Sequence, residues 1–179
     1  KAVTIPEKSD AFIIAVPTPF KKNHTPDISY LKAAARSIAP VLEKGNLVLL
    51  ESTSPVGTTE KLVSWLAKER PDLSFPTTGS NTKPDINIAY SPERVLPGQV
   101  LNELVNNDRI VGGITPACGQ RAAEFYRLFI KGECLMTEAR TAELAKLTEN
   151  AYRDVNIAFA NEISLVCDKL EINVWEILD

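Results

Sequence analysis

Apolar residues in this chain fall in short continuous runs that alternate with longer stretches of helical periodicity. Ala11-Phe-Ile-Ile-Ala-Val16 is closed by Pro17-Thr18-Pro19. Six apolar residues without alternation predict a strand covered on both faces, as in a parallel sheet. Leu31, Ala34, Ala35, Ile38 and Val41/Leu42 then recur at helical spacing and predict a helix over 28–42. Asp27 or Ser29 stands where a cap is needed, and Gly45 follows the end. The unit repeats. Residues 46–50 predict a second buried strand, 51–57 a loop, and Thr58-Thr59-Glu60 the start of a helix running to Glu69. Further strands are predicted over 86–90, 109–112 and 134–136, with a helix over 116–129 between the last two. Strands alternating with helices at this spacing predict right-handed βαβ units and a parallel α/β sheet.

From Thr137 the pattern changes. Residues 138–170 contain neither proline nor glycine and predict one long helix. Its periodicity places Lys146, Asn150, Arg153 and Asn161 on one face, and Leu147, Ala151, Val155 and Ala158 on a core-facing one. A second helix begins within the final EINVWEILD. The length of the first helix suits packing against a copy of itself, so a homodimer through 138–170 is expected.

Composition narrows the class. Of 179 residues, 44% are hydrophobic and 24% charged, as in a globular domain. A net charge of −3 leaves no basic footprint for nucleic acid. No apolar run reaches the roughly 18 residues of a membrane span, and KAVTIPEKSD lacks the basic-then-apolar order of a secretion signal. Cys118, Cys134 and Cys167 are widely spaced, which fits reduced thiols in a cytoplasmic protein. His24 is the single histidine, so no histidine-based metal site is expected.

Ligands of open parallel sheets sit at the carboxyl ends of strands. Three polar segments occupy such ends: Pro17-Thr18-Pro19, Ser52 to Gly57, and Ser91-Pro92-Glu93-Arg94. Thr58 and Thr59 bring hydroxyls and N–H groups to a helix start, which suits an anionic or polar ligand; the same residue types also serve as ordinary turns and caps. Glu93 beside Arg94 can orient a water and grip a phosphate or carboxylate, or simply form a surface ion pair. Lys146 on the polar face of the long helix can stabilise an oxyanion or relay protons. No G-x-G-x-x-G occurs; Gly112-Gly113 is the one glycine pair. The residues by themselves lead to part of an α/β ligand-binding protein.

Four longer motifs go further: AVPTPF (15–20), LESTSPVGTTE (50–60), YSPERVLPGQ (90–99) and AELAKLTENAYRDVNIAFANEIS (142–164). Through them nearly the whole chain resembles the UDP-glucose/GDP-mannose dehydrogenases, a family of nucleotide-sugar 6-dehydrogenases. The resemblance implies the latter half of a Rossmann-like NAD-binding domain over 1–136 and the start of a central helical dimerisation domain over 137–179. Members open with a GxGxxG turn and later carry a catalytic cysteine in a Gly-Gly-His-Cys-like motif, so the resemblance implies an internal stretch of a longer polypeptide. It also implies oxidation of a sugar C6 alcohol to an acid in two NAD-dependent hydride transfers, through a cysteine-bound intermediate. Catalytic roles then fall to Lys146, Asn150 and Glu93. UDP-sugar contacts fall to Arg94, Val95, Lys146, Asn150 and Arg153, and the NAD site to Thr18, Thr53 and Thr59. Glucose-specific members carry Phe-Leu and a further Glu after the motif's Glu93. Arg94-Val95-Leu96-Pro97 stands here instead and favours an N-acetylmannosamine substrate over glucose. UDP-glucose or another UDP-hexose remains the sibling reading, and a non-catalytic dimerisation or ligand-binding module the alternative of another class.

Overall fold

In the computed structural model, residues 2–80, 82–95 and 98–178 are described. The chain forms two compact units, one up to Leu144 and one from Ala145.

The first unit is a five-stranded sheet in the order β1 (Ala11–Ile14), β2 (Leu47–Leu50), β3 (Asn87–Tyr90), β4 (Arg109–Gly113), β5 (Cys134–Glu138). On β2, alternate side chains point to opposite faces, and both faces are covered. Val48 and Leu50 pack with Leu31, Ala35 and Ile38 of α1 (Ser29–Ile38) and Leu62 and Leu66 of α2 (Thr58–Glu69). Leu47 and Leu49 pack with Ala122 and Tyr126 of α4 (Pro116–Tyr126). A strand buried on both sides has no polar alternation, which is why its sequence reads as an unbroken apolar run.

Helix α1 ends at Ile38, short of the expected Leu42, in a 3-10 turn over Ala39–Val41. Pro40 lacks the N–H that an α-helix would use at this point. Asp27 accepts the Ser29 N–H at 3.0 Å, while the capping position itself is Ile28.

The sheet departs from the all-parallel expectation at one place. β1–β2, β2–β3 and β4–β5 are parallel, but β3–β4 is antiparallel, through Ala89↔Gly113 and Tyr90↔Gly112. Among the described residues of the connection the one helix is the seven-residue α3 (Val100–Asn106), none of whose residues is buried. A right-handed crossover needs a helix packed across the sheet face. Helix α3 is too short to span that face and does not bury a side chain against it, and β4 runs antiparallel to β3.

Gly112 and Gly113 explain the lone glycine pair. A Cβ on Gly112 would stand 2.6 Å from the Ala142 Cβ and 2.8 Å from the Ala139 Cα; one on Gly113 would meet the Gly119 N at 2.3 Å. The missing side chains let α4 and the first turn of α5 lie directly on β4.

Helix α5 (Ala139–Leu170) continues into the second unit, which ends with α6 (Trp175–Leu178). The expected core face is corrected here: Leu147 is half-buried, but Ala151, Val155 and Ala158 are exposed. A single long helix has no second layer of its own to bury them. Tyr152, Val155, Phe159 and Leu170 are exposed as well. No helix among the described residues is long and apolar enough to cross a membrane.

Candidate active site

The loops after β1 and β2 are tied together by their own hydroxyls. The Thr18 hydroxyl donates to the Thr53 carbonyl at 2.8 Å, and the Ser52 hydroxyl donates to the Val16 carbonyl at 2.7 Å. Thr18 and Thr53 are both half-buried at these strand ends. The result is a neutral rim of hydroxyl and carbonyl groups where a parallel sheet takes its ligands.

The start of α2 differs from the expectation of an open anion site. Its anion comes from the chain itself: Glu143, fully buried on the first turns of α5. One carboxylate oxygen accepts the Gly57 N–H at 2.6 Å; the other accepts the Thr59 N–H at 2.8 Å and the Thr59 hydroxyl at 2.6 Å. Unpaired N–H groups at a helix N-terminus attract negative charge, and here a buried carboxylate satisfies them. Thr59 is accordingly fully buried, with its hydroxyl committed inside the fold. The phenol of Tyr90, also buried, is held above the ordinary tyrosine range by its burial and by the Glu143 charge.

At the end of β3, Glu93 is held from two directions. One of its oxygens accepts the N–H groups of Arg94 at 2.6 Å and Val95 at 2.9 Å. The other accepts from Arg109 at 3.1 Å. Arg109 is buried at the start of β4 and also reaches Glu51 at 3.2 Å, with its guanidinium 4.5 Å from the centre of the Tyr126 ring. The Tyr126 hydroxyl donates to the same Glu51 oxygen at 2.7 Å. Burial, then the adjacent Glu51 charge, pushes the Tyr126 phenol upward. One cation thus fixes two carboxylates, one of them lying against the exposed Arg94. A cavity of about 10 Å³, near the lower limit for one water, adjoins Glu93, Val95 and Arg109.

Lys146, Asn150 and Arg153 belong to the second unit. Glu149 stands between the two cations, 3.6 Å from the Lys146 ammonium and 3.9 Å from Arg153. The Lys146 side chain is 11% exposed. A groove of about 640 Å³ on the first unit, lined by Thr115, Met136 and Arg140 among others, contains none of the residues expected from sequence.

Sequence reasoning missed Glu51, Arg109, Glu143 and Glu149. The spacing held a signal for two of them. Glu143 lies three residues before Lys146 on the same helical stripe, and Glu149 is at the i,i+3 and i,i+4 positions that meet Lys146 and Arg153. Arg109 gave none, because an arginine opening a strand looks like any exposed flank.

The family model for the UDP-glucose/GDP-mannose dehydrogenase NAD binding domain matches residues 2–130, and that for the central domain of the same family matches 140–179. The chain belongs to this family. It is 62% identical over 178 residues to the UDP-N-acetyl-D-mannosamine dehydrogenase of Yersinia pestis, an alignment covering 99% of this chain and 42% of that protein. It is equally 62% identical, with the same coverage, to an NDP-N-acetyl-D-galactosaminuronic acid dehydrogenase of Ralstonia nicotianae. The solved UDP-D-ManNAc dehydrogenase of Pyrococcus horikoshii superposes with a TM-score of 0.86 at 43% identity, over 96% of this chain and 39% of that one. The chain therefore spans about two-fifths of the length of the family members it matches.

Proposed function

We propose that the polypeptide carrying this chain is a cytoplasmic, NAD-dependent UDP-N-acetyl-D-mannosamine 6-dehydrogenase, acting as a homodimer. The observation that carries this reading is the 62% identity, over 178 residues, to a dehydrogenase of that name. The geometry of Glu93 supports it: a carboxylate whose position is set by a buried guanidinium and two amides needs no reorganisation when substrate arrives.

The residues present fit part of an NAD molecule. The neutral rim built from Thr18 and Thr53 suits a ribose and carboxamide, which need donors and acceptors without charge. The α2 N-terminus does not suit a pyrophosphate, because Glu143 already fills it, so Thr59 supports this site from behind. NAD, when bound, supplies the hydride acceptor for alcohol oxidation. Glu93 acts as base or orients water. Arg94, Val95 and Arg153 hold the UDP-sugar, and Lys146 stabilises the oxyanion with Asn150 bonding beside it.

Dimerisation is supported by the exposed apolar residues of the second unit. Tyr152, Val155 and Phe159 follow one another at helical spacing, and Val155 is 68% and Phe159 66% exposed. Such a stripe on a long helix suits a second copy of itself. The relative from Ralstonia nicotianae favours one second reading, an N-acetylgalactosamine-type sugar in place of N-acetylmannosamine.

The test is the full-length protein offered UDP-N-acetylmannosamine, UDP-N-acetylgalactosamine and UDP-glucose in parallel, with NADH formation as readout. Faster turnover of the mannosamine sugar is expected. Preference for the galactosamine sugar establishes the second reading, and activity on UDP-glucose alone overturns the substrate assignment.

A further inference from the structure

The contact between Glu143 and α2 does more than satisfy a helix end. We propose that Glu143 is a positioning residue for the reaction: it locks the loop after β2 to the first turn of α5. The proposal rests on the dehydrogenase reading above and concerns how that site is held.

Two independent observations carry it. The first is the bonding. Both Glu143 oxygens are used, on Gly57 and Thr59, which lie four and six residues beyond Thr53. Glu143 is fully buried, so this carboxylate has exchanged its hydration for those bonds. The second is the packing. Gly112 and Ala142 leave no room between β4 and α5, so the backbone that carries Glu143 cannot slide along the strand.

The chain order gives the contact its consequence. Glu143 precedes Lys146 by three residues on one helix, and Gly57 closes the loop that contains Thr53. A shift of the Glu143 carboxylate is therefore felt both along α5 and in the loop assigned to NAD. A carboxylate is required in particular. Every neighbouring group is a donor, and a glutamine would turn its own N–H toward at least one of them.

The experiment uses the full-length protein and compares Glu143→Gln, Thr59→Val and Thr59→Ser. Kinetics, melting temperature, and amide exchange over 57–60 and 143–150 are measured on each. Glu143→Gln is expected to lower kcat ~10-fold or more, with KM for the UDP-sugar within about twofold of wild type and faster exchange in both segments. Thr59→Val, which removes a single hydroxyl bond, should give a smaller loss of kcat, and Thr59→Ser should restore it. It also keeps the proposal testable if Glu143→Gln does not fold.

A lowered melting temperature with wild-type kcat would show a merely structural contact and overturn the proposal. So would unchanged exchange in either segment. Wild-type protein that forms no NADH from any UDP-sugar would instead remove the dehydrogenase reading. Exchange in the two segments would then decide whether Glu143 couples them.

Discussion

The sheet unit and the helical unit treat their polar groups in opposite ways. In the sheet unit the charged groups at strand and helix ends close on one another: Glu143 on the start of α2, Arg109 on Glu51 and Glu93. In the helical unit apolar side chains such as Tyr152 and Val155 stand exposed, while Lys146 and Arg153 share Glu149 on one stripe. The sheet unit accordingly carries its own scaffold for chemistry. The helical unit carries side chains whose natural complement is another surface. Thr59, a motif residue of the sheet unit, commits its hydroxyl inside the fold, to Glu143.

The sharpest probe of this contrast is Lys146→Ala. A residue that serves the reaction and not the fold should cost turnover alone, about a thousandfold, with the melting temperature unchanged. Steady-state kinetics and thermal melting of the full-length protein check it, and a lowered melting temperature with normal kcat would blur the contrast.

Arg109→Met should do the reverse first. Removing the buried guanidinium leaves the part-buried Glu51 and the more exposed Glu93 without their shared cation, a loss of about 2 kcal/mol with water screening the outer carboxylate. Denaturant unfolding measures the loss, and activity should fall with it because Glu93 loses its anchor.

Gly112→Ala tests the packing that seats α5. Its Cβ would sit 2.6 Å from the Ala142 Cβ and 2.7 Å from the Glu138 carbonyl oxygen, so the helix must move away. Overpacking of this kind costs about 2 kcal/mol, readable in the same unfolding experiment.

The smallest effect is a pH dependence. Burial and the Glu51 charge raise the Tyr126 phenol in the folded chain above its ordinary value of 10.0. The unfolded phenol then loses its proton first as pH rises. Stability is therefore fully present below pH 10 and declines above it. Tyr126→Phe should flatten that alkaline decline, as followed by circular dichroism across pH 9–12, while a decline of unchanged slope would place its origin elsewhere.

Much of the fold was legible because burial on both faces leaves a plain mark. The apolar run of β2 and the proline-free, glycine-free stretch of α5 each pointed to the element found; the run of β1 pointed to a strand, but its expected cover on both faces is corrected by Ile13, which is 46% exposed. The antiparallel pairing of β3 and β4 was not legible, since Val100, Leu101, Leu104 and Val105 have the spacing of a helix that packs, and spacing does not say that α3 stays unburied. The exposed face of α5 was misread for a related reason. Val155 and Ala158 have core-like spacing, and spacing does not say whether the covering surface lies in the same chain. At the candidate site, the loop residues Thr18, Thr53, Glu93 and Arg94 stood out by type and position. Arg109 and Glu143, which hold that site, did so only once long-range contacts joined segments 16 and 86 residues apart.

The central claim is that these elements belong to an enzyme taking an alcohol through to an acid. It is tested most directly by the NADH yield of the full-length protein, measured to completion on a known amount of UDP-N-acetylmannosamine. The account predicts about two NADH per sugar, one for each hydride transfer. One NADH per sugar, with an aldehyde as the end product, would contradict it.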